Sequence, residues 1–248
     1  MIPKISIIMP NFNSEKYIKS AINSVLNQTF KKWELIIVDD NSNARTVKIL
    51  KNYKNKKIKL IFLKKNKGAA YCRNLAIKNS TGKYLTFLDS DDIWNKKKLS
   101  LQYNFMENNQ FIFTYTNYEL IDSKDKFLGL VVAPKKFTFN SFIKNTTIGT
   151  STMMIKRSIT QNIRFTNTLI CEDYYYKCKL LKKIGSANLL DSVLSKYRIR
   201  KDSLQSNKIR NFFWMWKINK RYNKFSFFLN LKSLSLITIN SIIKYGLK

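Results

Sequence analysis

Short apolar runs alternate with helix-like segments through the first 92 residues, and this alternation is the feature that most limits the fold. Helices are predicted at Ile18–Leu26, with Ser14 placed as a cap, at 46–53, and in a third segment that ends near Asn79. Buried strands joined by helices predict a parallel α/β sheet with right-handed crossovers. The apolar runs occupy residues 4–10, 33–40, 58–63 and 82–92.

The pattern changes near Phe111. Residues 111–122 and 127–133 are typical of neighbouring strands, so an antiparallel or mixed part of the sheet is expected there. A helix is predicted over 172–185, with Gly185 as its stop. We therefore expect a mixed, mainly parallel sheet flanked by helices, followed by a helical extension at the C-terminus.

Acidic residues are scarce and concentrated. The chain carries 46 Lys and Arg against 15 Asp and Glu, a net charge of +31. Seven of those 15 acids fall in three clusters, namely Asp39–Asp40, Asp89/Asp91/Asp92 and Glu172–Asp173. The first two clusters directly follow apolar strands, and open α/β sheets bind ligands beside the carboxyl ends of their strands. Each cluster alone is also compatible with a solvated turn or a helix cap. Two clusters beside one crevice favour a binding site.

The stretch "FLDSDDIW", residues 87–94, places three carboxylates within four positions. Their mutual repulsion raises the pKa of at least one of them, and a divalent cation relieves it. Mg²⁺ and Mn²⁺ take one or two carboxylates and leave other positions to water and substrate phosphates. The stretch therefore predicts an open Mn²⁺ or Mg²⁺ site and a phosphate-bearing substrate, which would also explain the nearby cations Lys67 and Arg73. The sequence contains neither a P-loop nor a dinucleotide fingerprint.

Composition excludes several classes of site. The chain has no histidine, so Ser-His and Cys-His nucleophiles and His-ligated zinc are ruled out, and carboxylates remain as acid/base groups. Three cysteines without a CxxC pair suit a reducing cytosol. No secretory pattern or long apolar span is found. The net charge of +31 favours an anionic partner: nucleic acid, a membrane surface or a phosphorylated substrate.

Four segments in order resemble the family-2 glycosyltransferases. They are "SIIMPNFNSEKYIKSAINSVLNQTFKKWELIIVDDNS", "NKGAAYCRNLAIKNSTGKYLTFLDSDD", "CEDYYY" and "YRIRKDSL", which together span roughly residues 3–205. The resemblance implies the A-type glycosyltransferase fold, a Rossmann-like α/β architecture. It also implies a metal-assisted transfer with inversion, from a nucleotide-sugar donor expected to be UDP-linked, by a hexosyl- or N-acetylhexosaminyltransferase. The acceptor is expected to be the hydroxyl of a saccharide or a lipid-linked saccharide.

The resemblance also implies a division of the chain. Residues 1–205 are expected to form the catalytic domain, with a nucleotide-sugar-binding half at 1–110 and an acceptor-binding half at 111–205. Residues 206–248 are expected to form a basic and aromatic helical extension.

Residues of the first two loops correspond to the family's nucleotide contacts. Pro10, Phe12 and Glu15 stand where the resemblance implies contact with base and ribose. Asp39 or Asp40 corresponds to the carboxylate that reads the uracil edge or supports its neighbours.

The next two motifs correspond to the family's phosphate and metal contacts. Arg73 is expected near base or phosphate, with Gly68 shaping its loop. Asp89 is expected towards the ribose and donor sugar and as a metal ligand. Asp91 is the main ligand of the ion that bridges the diphosphate, and Asp92 is a further metal contact.

The acidic pair in "CEDYYY" resembles the catalytic pair beneath the acceptor site. We expect Asp173 to be the general base, with Glu172 as the second choice. A carboxylate at a helix N-terminus is favoured as an anion. The alternative is a pair of helix-capping residues with no catalytic role.

One position departs from the family pattern. Many relatives carry a histidine two residues after the arginine of "YR", and this chain has Arg200 there. Arginine cannot ligate a cation, but it can clamp a phosphate bidentately. We therefore predict that Arg198 or Arg200 contacts the diphosphate.

The segment 212–248 lies beyond the resemblance. Drawn as a helix, residues 225–243 place most Phe, Leu and Ile on more than half of the circumference, with polar residues on the other side. Aromatic and basic residues just upstream suit the interface of an anionic membrane. Packing on the catalytic domain or on a second subunit is an equal alternative, which leaves a homodimer open. We expect a cytoplasmic protein, peripheral on the cytoplasmic face of the inner membrane.

Two other functions compete with the enzyme. A nucleic-acid-binding protein would explain the charge, but its basic residues are spread along the chain and no nucleic-acid-binding signature is present, so no nucleic-acid partner is expected. A catalytically inactive relative, serving as a membrane or assembly partner, is suggested by the missing histidine. The intact "DSDD" and "ED" motifs favour the enzyme.

Overall fold

A ten-stranded mixed sheet forms the centre of the protein. The computed structural model describes residues 2–168, 170–200 and 208–245, without the side chains of residues 208 and 245. The strands are β1 (Ile5–Asn11), β2 (Trp33–Asp39), β3 (Ile58–Phe62), β4 (Tyr84–Phe87), β5 (Ile93–Trp94), β6 (Phe113–Ile121), β7 (Phe127–Val131), β8 (Lys136–Thr138), β9 (Met154–Lys156) and β10 (Ser186–Arg198). Along the sheet they follow the order β3-β2-β1-β4-β9-β6-β10-β5, with β7 added to β6 and β8 to β10.

The parallel half of the sheet brings the first acidic clusters to one edge. β1 lies between β2 and β4, and all three run in the same direction. Their register pairs Asn11 with Asp39 and Ile8 with Phe87. The residues that follow β2 and β4 therefore leave the sheet at the same edge, where parallel sheets bind ligands.

Helices cover both faces of the sheet. They are α1 (Ile18–Leu26), α2 (Ala44–Lys51), α3 (Ala69–Lys78), α4 (Lys98–Asn108), α5 (Phe139–Phe142), α6 (Glu172–Ile184), α7 (Lys208–Ile218) and α8 (Phe227–Tyr245). Short 3-10 turns lie at Thr150–Thr152 and Arg157–Thr160, and a π-helical turn lies at Asn219–Asn223. Asn43 caps α2 by accepting the N–H of Thr46, and Gly185 ends α6 with a φ of 88°.

Alternate residues of the strands enter two separate cores. Ile8 of β1 contributes to a core built with α3 and α6, whereas its neighbour Ile7 contributes to a core built with α1 and α4. Successive side chains of a strand point to opposite faces, so a strand covered on both faces is apolar at almost every position. This explains the continuous apolar run of β1, all of which is buried.

The predicted parallel core is confirmed, with two local differences. The strand expected over 82–92 ends at Phe87, and the acidic residues after it form a turn. The first helix begins at Ile18, but Ser14 does not cap it. The Ser14 hydroxyl donates to Asn11 Oδ1, and the Ser14 carbonyl accepts the N–H groups of Tyr17 and Ile18. Ser14 therefore closes the turn before the helix.

The part of the sheet and helices that follows β5 contains the expected antiparallel pair, β6 with β7, and three elements without a clear sequence signal. The helix α4 buries Lys98 and Gln102, which interrupt its apolar stripe. The strand β10 has register shifts between Leu190 and Ser195, which interrupt its alternation of inward and outward residues. The strand β9 has only three residues.

The predicted C-terminal helical extension is confirmed by α7 and α8. Ile218, Leu234 and Ile237 join the same core as α6. The predicted domain boundary between residues 205 and 206 lies outside the described residues. None of the helices in the described ranges combines the length and apolarity that a membrane span needs.

Gly82, just before β4, allows a close approach of two strands. A Cβ atom at this position would lie 2.7 Å from the backbone N of Ser6 and 2.8 Å from the carbonyl C of Ile5. Because backbone atoms cannot yield cheaply, we expect Gly82→Ala to lower the free energy of unfolding by about 1–3 kcal/mol. Urea denaturation measures this loss. Gly129→Ala is the matched control, since a Cβ there meets nothing within 4 Å. Equal losses in the two variants would contradict the steric explanation.

Candidate active site

Arg73 of α3 joins acidic residues from two distant segments. Its Nη2 lies 2.7 Å from Asp89 Oδ1, and its Nη1 lies 2.6 Å from Glu172 Oε1. The Arg73 side chain is only 6% exposed, and its guanidinium carbon lies 5.3 Å from the centre of the Phe165 ring. Charge-assisted hydrogen bonds are short and directional, and burial protects them from screening by salt. The Arg73 bridge therefore fixes the turn after β4 against the start of α6.

The three aspartates of the turn after β4 occupy two different environments. Asp92 is buried, and it accepts hydrogen bonds from the Ser151 hydroxyl and from the backbone N–H of Arg198. Burial raises the pKa of Asp92 well above its usual value, and the charges of Asp91 and Asp89 raise it further. The side chains of Asp89 and Asp91 are 28% and 20% exposed. The cluster thus divides into two accessible carboxylates and one internal carboxylate.

A divalent cation at this turn would meet two carboxylates. Within the described ranges, no three His, Cys, Asp or Glu side chains converge on a ready-made metal site. Mg²⁺ and Mn²⁺ do not require one, because they are often held by one or two carboxylates together with substrate phosphates. Asp89 and Asp91 therefore fit a cation that arrives with a diphosphate. Asp92 as a further ligand stays a prediction, and both of its oxygens are hydrogen-bonded within the protein.

Arg198 is built into the structure behind the turn. Its Nε donates to the carbonyl of Asp91 and its Nη1 to the carbonyl of Asp122, both over 2.8 Å. Its Nη2 lies 2.6 Å from Asp125 Oδ1, and the side chain is 1% exposed. The guanidinium of Arg198 therefore ties the acidic turn to the β6–β7 hairpin and is not turned towards solvent.

Arg200 lies on the accessible side of the same turn. Its Nε is 2.9 Å from Asp91 Oδ2, and its side chain is 24% exposed. Its guanidinium carbon lies 5.5 Å from the centre of the Tyr17 ring. Of the two arginines predicted to contact a diphosphate, Arg200 is the one that the structure places beside an accessible metal-ligand candidate.

The acidic pair after β2 organises two loops. Asp39 Oδ1 accepts Nδ2 of Asn11 over 2.6 Å, and Asp39 Oδ2 accepts the N–H of Ser42 over 3.0 Å. Asp40 Oδ2 accepts the N–H of Gly68 over 2.8 Å, and Asp40 Oδ1 accepts the N–H of Lys67 over 2.7 Å. Gly68 has a φ of 84°, a conformation that residues with side chains rarely adopt. Both aspartates are buried and support their neighbours, which is one of the two roles expected for them.

The loop after β1 presents an exposed ring beside these acids. Pro10 is buried within β1, whereas Phe12 is 51% exposed. Glu15 accepts the Thr46 hydroxyl over 2.8 Å and Nδ2 of Asn43 over 3.3 Å. A backbone N–H and these two side chains lower the pKa of Glu15 below its ordinary value. The Phe12 ring is thus available for stacking on a base, and Glu15 is an anion that anchors its loop to α2.

The pKa values of the two acids that begin α6 are shifted in opposite directions. Asp173 Oδ2 lies 2.8 Å from Lys177 Nζ and accepts the Thr150 hydroxyl over 2.9 Å. Burial would raise the pKa of Asp173, but Lys177, Arg73 and Thr150 outweigh it and hold the pKa below its ordinary value. Burial raises the pKa of Glu172, against the attraction of Arg73. The surroundings of Asp173 therefore favour its anionic form more strongly than those of Glu172 do.

The Thr150–Thr152 turn connects the two groups of acids a second time. Thr150 donates to Asp173, and Ser151 donates to Asp92 while it accepts the N–H of Asp89 over 3.1 Å. These hydroxyl groups carry no charge and form no recognised motif, so the sequence did not single them out individually. Lys177, four residues after Asp173, was also missed, although that spacing on a helix is a recognisable signal for an ion pair.

The chain is similar in sequence to known glycosyltransferases. The family described as "Glycosyl transferase family 2" matches residues 6–164. The Escherichia coli protein described as UDP-Glc:alpha-D-GlcNAc-diphosphoundecaprenol beta-1,3-glucosyltransferase WfgD is 39% identical over 215 residues, which cover 86% of this chain and 84% of that protein. An uncharacterized glycosyltransferase of Haemophilus influenzae is 34% identical over 98% of each chain.

Solved structures share the fold. S. aureus TarS in complex with UDP-GlcNAc matches with a TM-score of 0.75 at 22% identity, over 97% of this chain and 73% of that one. The mannosyltransferase PcManGT from Pyrobaculum calidifontis, in complex with GDP-Man and Mn²⁺, matches with a TM-score of 0.69 at 14% identity, over 98% of this chain and 75% of that one. These matches confirm the A-type fold expected from the sequence.

The Arg73 bridge yields a stability prediction. Replacing Arg73 with Met leaves Asp89 and Glu172 without their shared cation, and removing one partner of a buried ion pair costs about 3–5 kcal/mol. We expect a loss of that size in the free energy of unfolding, measured by urea denaturation at neutral pH. Lys83→Met is the matched control, because it breaks the exposed ion pair with Glu107. That change should cost less than about 1 kcal/mol. Similar losses in both variants would contradict a structural role for the buried bridge.

Proposed function

Because the chain belongs to glycosyltransferase family 2 and is therefore a nucleotide-sugar-dependent glycosyltransferase, we propose that it transfers a sugar with inversion from a UDP-sugar to a lipid-linked saccharide. The observation that carries this proposal is the buried Arg73 bridge, which joins Asp89 in the turn after β4 to Glu172 at the start of α6. A donor site and a base for the acceptor thereby lie side by side.

The choice of donor and acceptor is supported by a relative. The name of E. coli WfgD specifies UDP-Glc as the donor and an α-D-GlcNAc-diphosphoundecaprenol acceptor, and that protein is 39% identical to this chain. By extension we propose a UDP-hexose or UDP-N-acetylhexosamine donor and a diphosphate-linked lipid acceptor. With such an acceptor, the reaction would take place at the cytoplasmic face of a membrane. We propose that residues 1–205 form the catalytic domain that carries it out.

The donor would lie along the carboxyl ends of β1, β2 and β4. In this proposal the exposed ring of Phe12 stacks on the base, and Asp39 and Asp40 hold the two loops around it. Asp89 and Asp91 would hold a Mn²⁺ or Mg²⁺ ion, which would stabilise the negative charge on the leaving diphosphate. Arg200 would leave its ion pair with Asp91 to bind a phosphate oxygen, a contact for which its fork of N–H donors is well suited.

Asp173 would act on the acceptor. As the acceptor oxygen forms its bond to the anomeric carbon, the bond from that carbon to the diphosphate breaks, and the proton of the acceptor hydroxyl passes to the Asp173 carboxylate. Lys177 and Thr150 favour the anionic form that this step requires and hold the carboxylate in place. Glu172 is bound to Arg73 and has a raised pKa, which favours a positioning role for it.

The proposal for the base predicts unequal effects of two isosteric changes. Asp173→Asn removes the proton acceptor, so we expect kcat to fall about 10²–10⁴-fold, while binding of UDP is retained. Glu172→Gln keeps the shape of the bridge and should reduce kcat less. Radiolabelled transfer from UDP-sugars to diphosphoundecaprenol-linked GlcNAc, with Mn²⁺, measures kcat, and calorimetry measures UDP binding. A larger loss in Glu172→Gln would make Glu172 the base. No transfer from any nucleotide sugar by the wild-type protein would favour an inactive relative.

The proposal for Arg200 predicts a loss on the donor side. Arg200→Ala removes a charged hydrogen bond to the diphosphate, which contributes about 1.5–3 kcal/mol, so kcat/KM for the donor should fall about ten- to a hundredfold. Arg200→Lys keeps the charge without the planar fork and should recover only part of this loss. Steady-state kinetics with varied donor measure the effect. Unchanged donor kinetics in Arg200→Ala would exclude the contact.

A further inference from the structure

The C-terminal helix α8 is oriented against the usual rule for surface helices. A surface helix normally packs its apolar stripe on the protein and turns its polar side to water. In α8 the polar residues Asn230 and Ser233 are buried on the side of the helix that faces the rest of the protein. Most of the large apolar residues face outwards instead, and only Leu234 and Ile237 are buried on the inner side.

The inner side of α8 is held by specific hydrogen bonds. Asn230 Oδ1 accepts Nδ2 of Asn219 over 3.0 Å, and Asn219 Oδ1 accepts the hydroxyl of Tyr174 over 2.8 Å. The Ser233 hydroxyl donates to the carbonyl of Ile143 over 2.6 Å. Buried polar groups without partners are costly, so rotation of the helix about its axis would leave several of them unsatisfied. The orientation of α8 is therefore specified by its sequence.

The outer side of α8 is largely apolar, and the exposed Lys232 and Ser235 lie among its apolar residues. Its most exposed members are Phe228 and Ile243, at 80% and 76%, and Ile239 is 53% exposed. At 100° per residue these three positions lie within about 60° of one another, on the side of the helix opposite the buried Asn230. We call this surface the outer face of α8. Its apolar members are Phe228, Leu231, Ile239, Ile242 and Ile243.

Aromatic rings continue the outer face onto α7. The rings of Phe228 and Phe227 lie 5.8 Å apart, Phe227 and Trp216 lie 5.5 Å apart, and Trp216 and Phe212 lie 6.5 Å apart. Phe213, at 66% exposure, extends the row. Aromatic side chains of this kind favour the boundary between water and the hydrocarbon of a bilayer.

The charged residues of the C-terminal segment all have one sign. The last acid of the chain is Asp202, and every later charged residue is basic. A symmetric dimer would bring this surface against its own copy and so place positive charges against positive charges. An anionic lipid surface offers the complementary charge and an apolar layer at once. The later basic residues are Lys208, Arg210, Lys217, Lys220, Arg221, Lys224, Lys232, Lys244 and Lys248.

We propose that the outer face of α8, together with the aromatic row of α7, lies in the interface of an anionic bilayer and holds the catalytic domain on the membrane. The polar inner side of α8 then attaches the domain to the helix, and the apolar outer side attaches the helix to the lipid. This inference rests on the proposed function only for the choice of a lipid partner, since a lipid-linked acceptor would be found at the same surface.

Vesicle binding tests the inference without donor or acceptor. The full chain is mixed with vesicles of phosphatidylcholine that contain roughly 30% phosphatidylglycerol, or with vesicles of phosphatidylcholine alone. Comparing the two separates binding through charge from insertion of apolar side chains. We expect binding to the anionic vesicles that weakens with salt and is lower on neutral ones. Phe228→Ser/Ile239→Ser/Ile243→Ser should reduce the partition coefficient about tenfold or more.

Controls separate the surface from general effects. Ile2→Ser/Leu101→Ser removes two exposed apolar residues elsewhere, at 82% and 40% exposure, and should bind vesicles as the wild type does. Thermal melts and UDP binding should be unchanged in both variants, because the altered side chains lie on the surface. Asp173→Asn should also bind vesicles normally, so a failure of the proposed chemistry would be distinguishable from a failure of this inference.

Three results would overturn the inference. The first is a wild-type protein that does not bind anionic vesicles. The second is a triple variant that binds them as well as the wild type does. The third is a concentration-dependent dimer, detected by sedimentation, that the triple variant abolishes without a change in vesicle binding. The last result would assign the outer face of α8 to a second copy of the chain.

Discussion

The arrangement of the site depends on one buried cation. Arg73 comes from α3, Asp89 from the turn after β4, and Glu172 from the start of α6, which lies 99 positions further along the chain than Arg73. Two carboxylates this close would repel each other, and the shared guanidinium offsets that repulsion. Because that guanidinium is planar and its donors are fixed in direction, it also sets where the two carboxylates lie. A lysine could supply the charge but not the geometry.

The same chemical group takes different roles around this bridge because its surroundings differ. Asp92 has its oxygens bonded to Ser151 and Arg198 and supports the turn from inside, whereas Asp89 and Asp91 remain accessible to a ligand. Asp173 and Glu172 are neighbours, yet Lys177 lowers the pKa of one while burial raises the pKa of the other. The Thr150–Thr152 turn hydrogen-bonds to both groups, so it links the position of the donor-side acids to that of the base.

The fold was more predictable from the sequence than the functional site was. Continuous apolar strands such as β1 and clear helical stripes such as α1 produce periodic signals, and these elements were predicted almost in place. The helix α4 was missed because Lys98 and Gln102 are buried in its inner face, and β10 was missed because bulges interrupt its alternation. For the site, the clusters of acids indicated residues that the structure brings near one another, but not which of them are accessible and which are internal. Whether an aspartate is accessible or internal depends on residues distant in sequence, as Ser151 is from Asp92. The roles of individual residues in the reaction remain predictions.

The distribution of charge connects the site with the C-terminal helices. Many of the 15 acids of the chain are used inside the protein: Asp39 and Asp40 bind backbone N–H groups, and Glu172 and Asp173 are paired with buried cations. These acids therefore do little to neutralise the protein surface, where exposed lysines and arginines are in excess. After Asp202 the sequence contains basic residues and no acidic ones, and the outer face of α8 in this segment is largely apolar. A surface that is both apolar and basic is poorly matched to water and to its own copy, and it is well matched to a layer of anionic lipid. If α8 lies on that layer, the proposed lipid-linked acceptor would be held in the same layer, so binding to the membrane would raise the local concentration of substrate without any further contact.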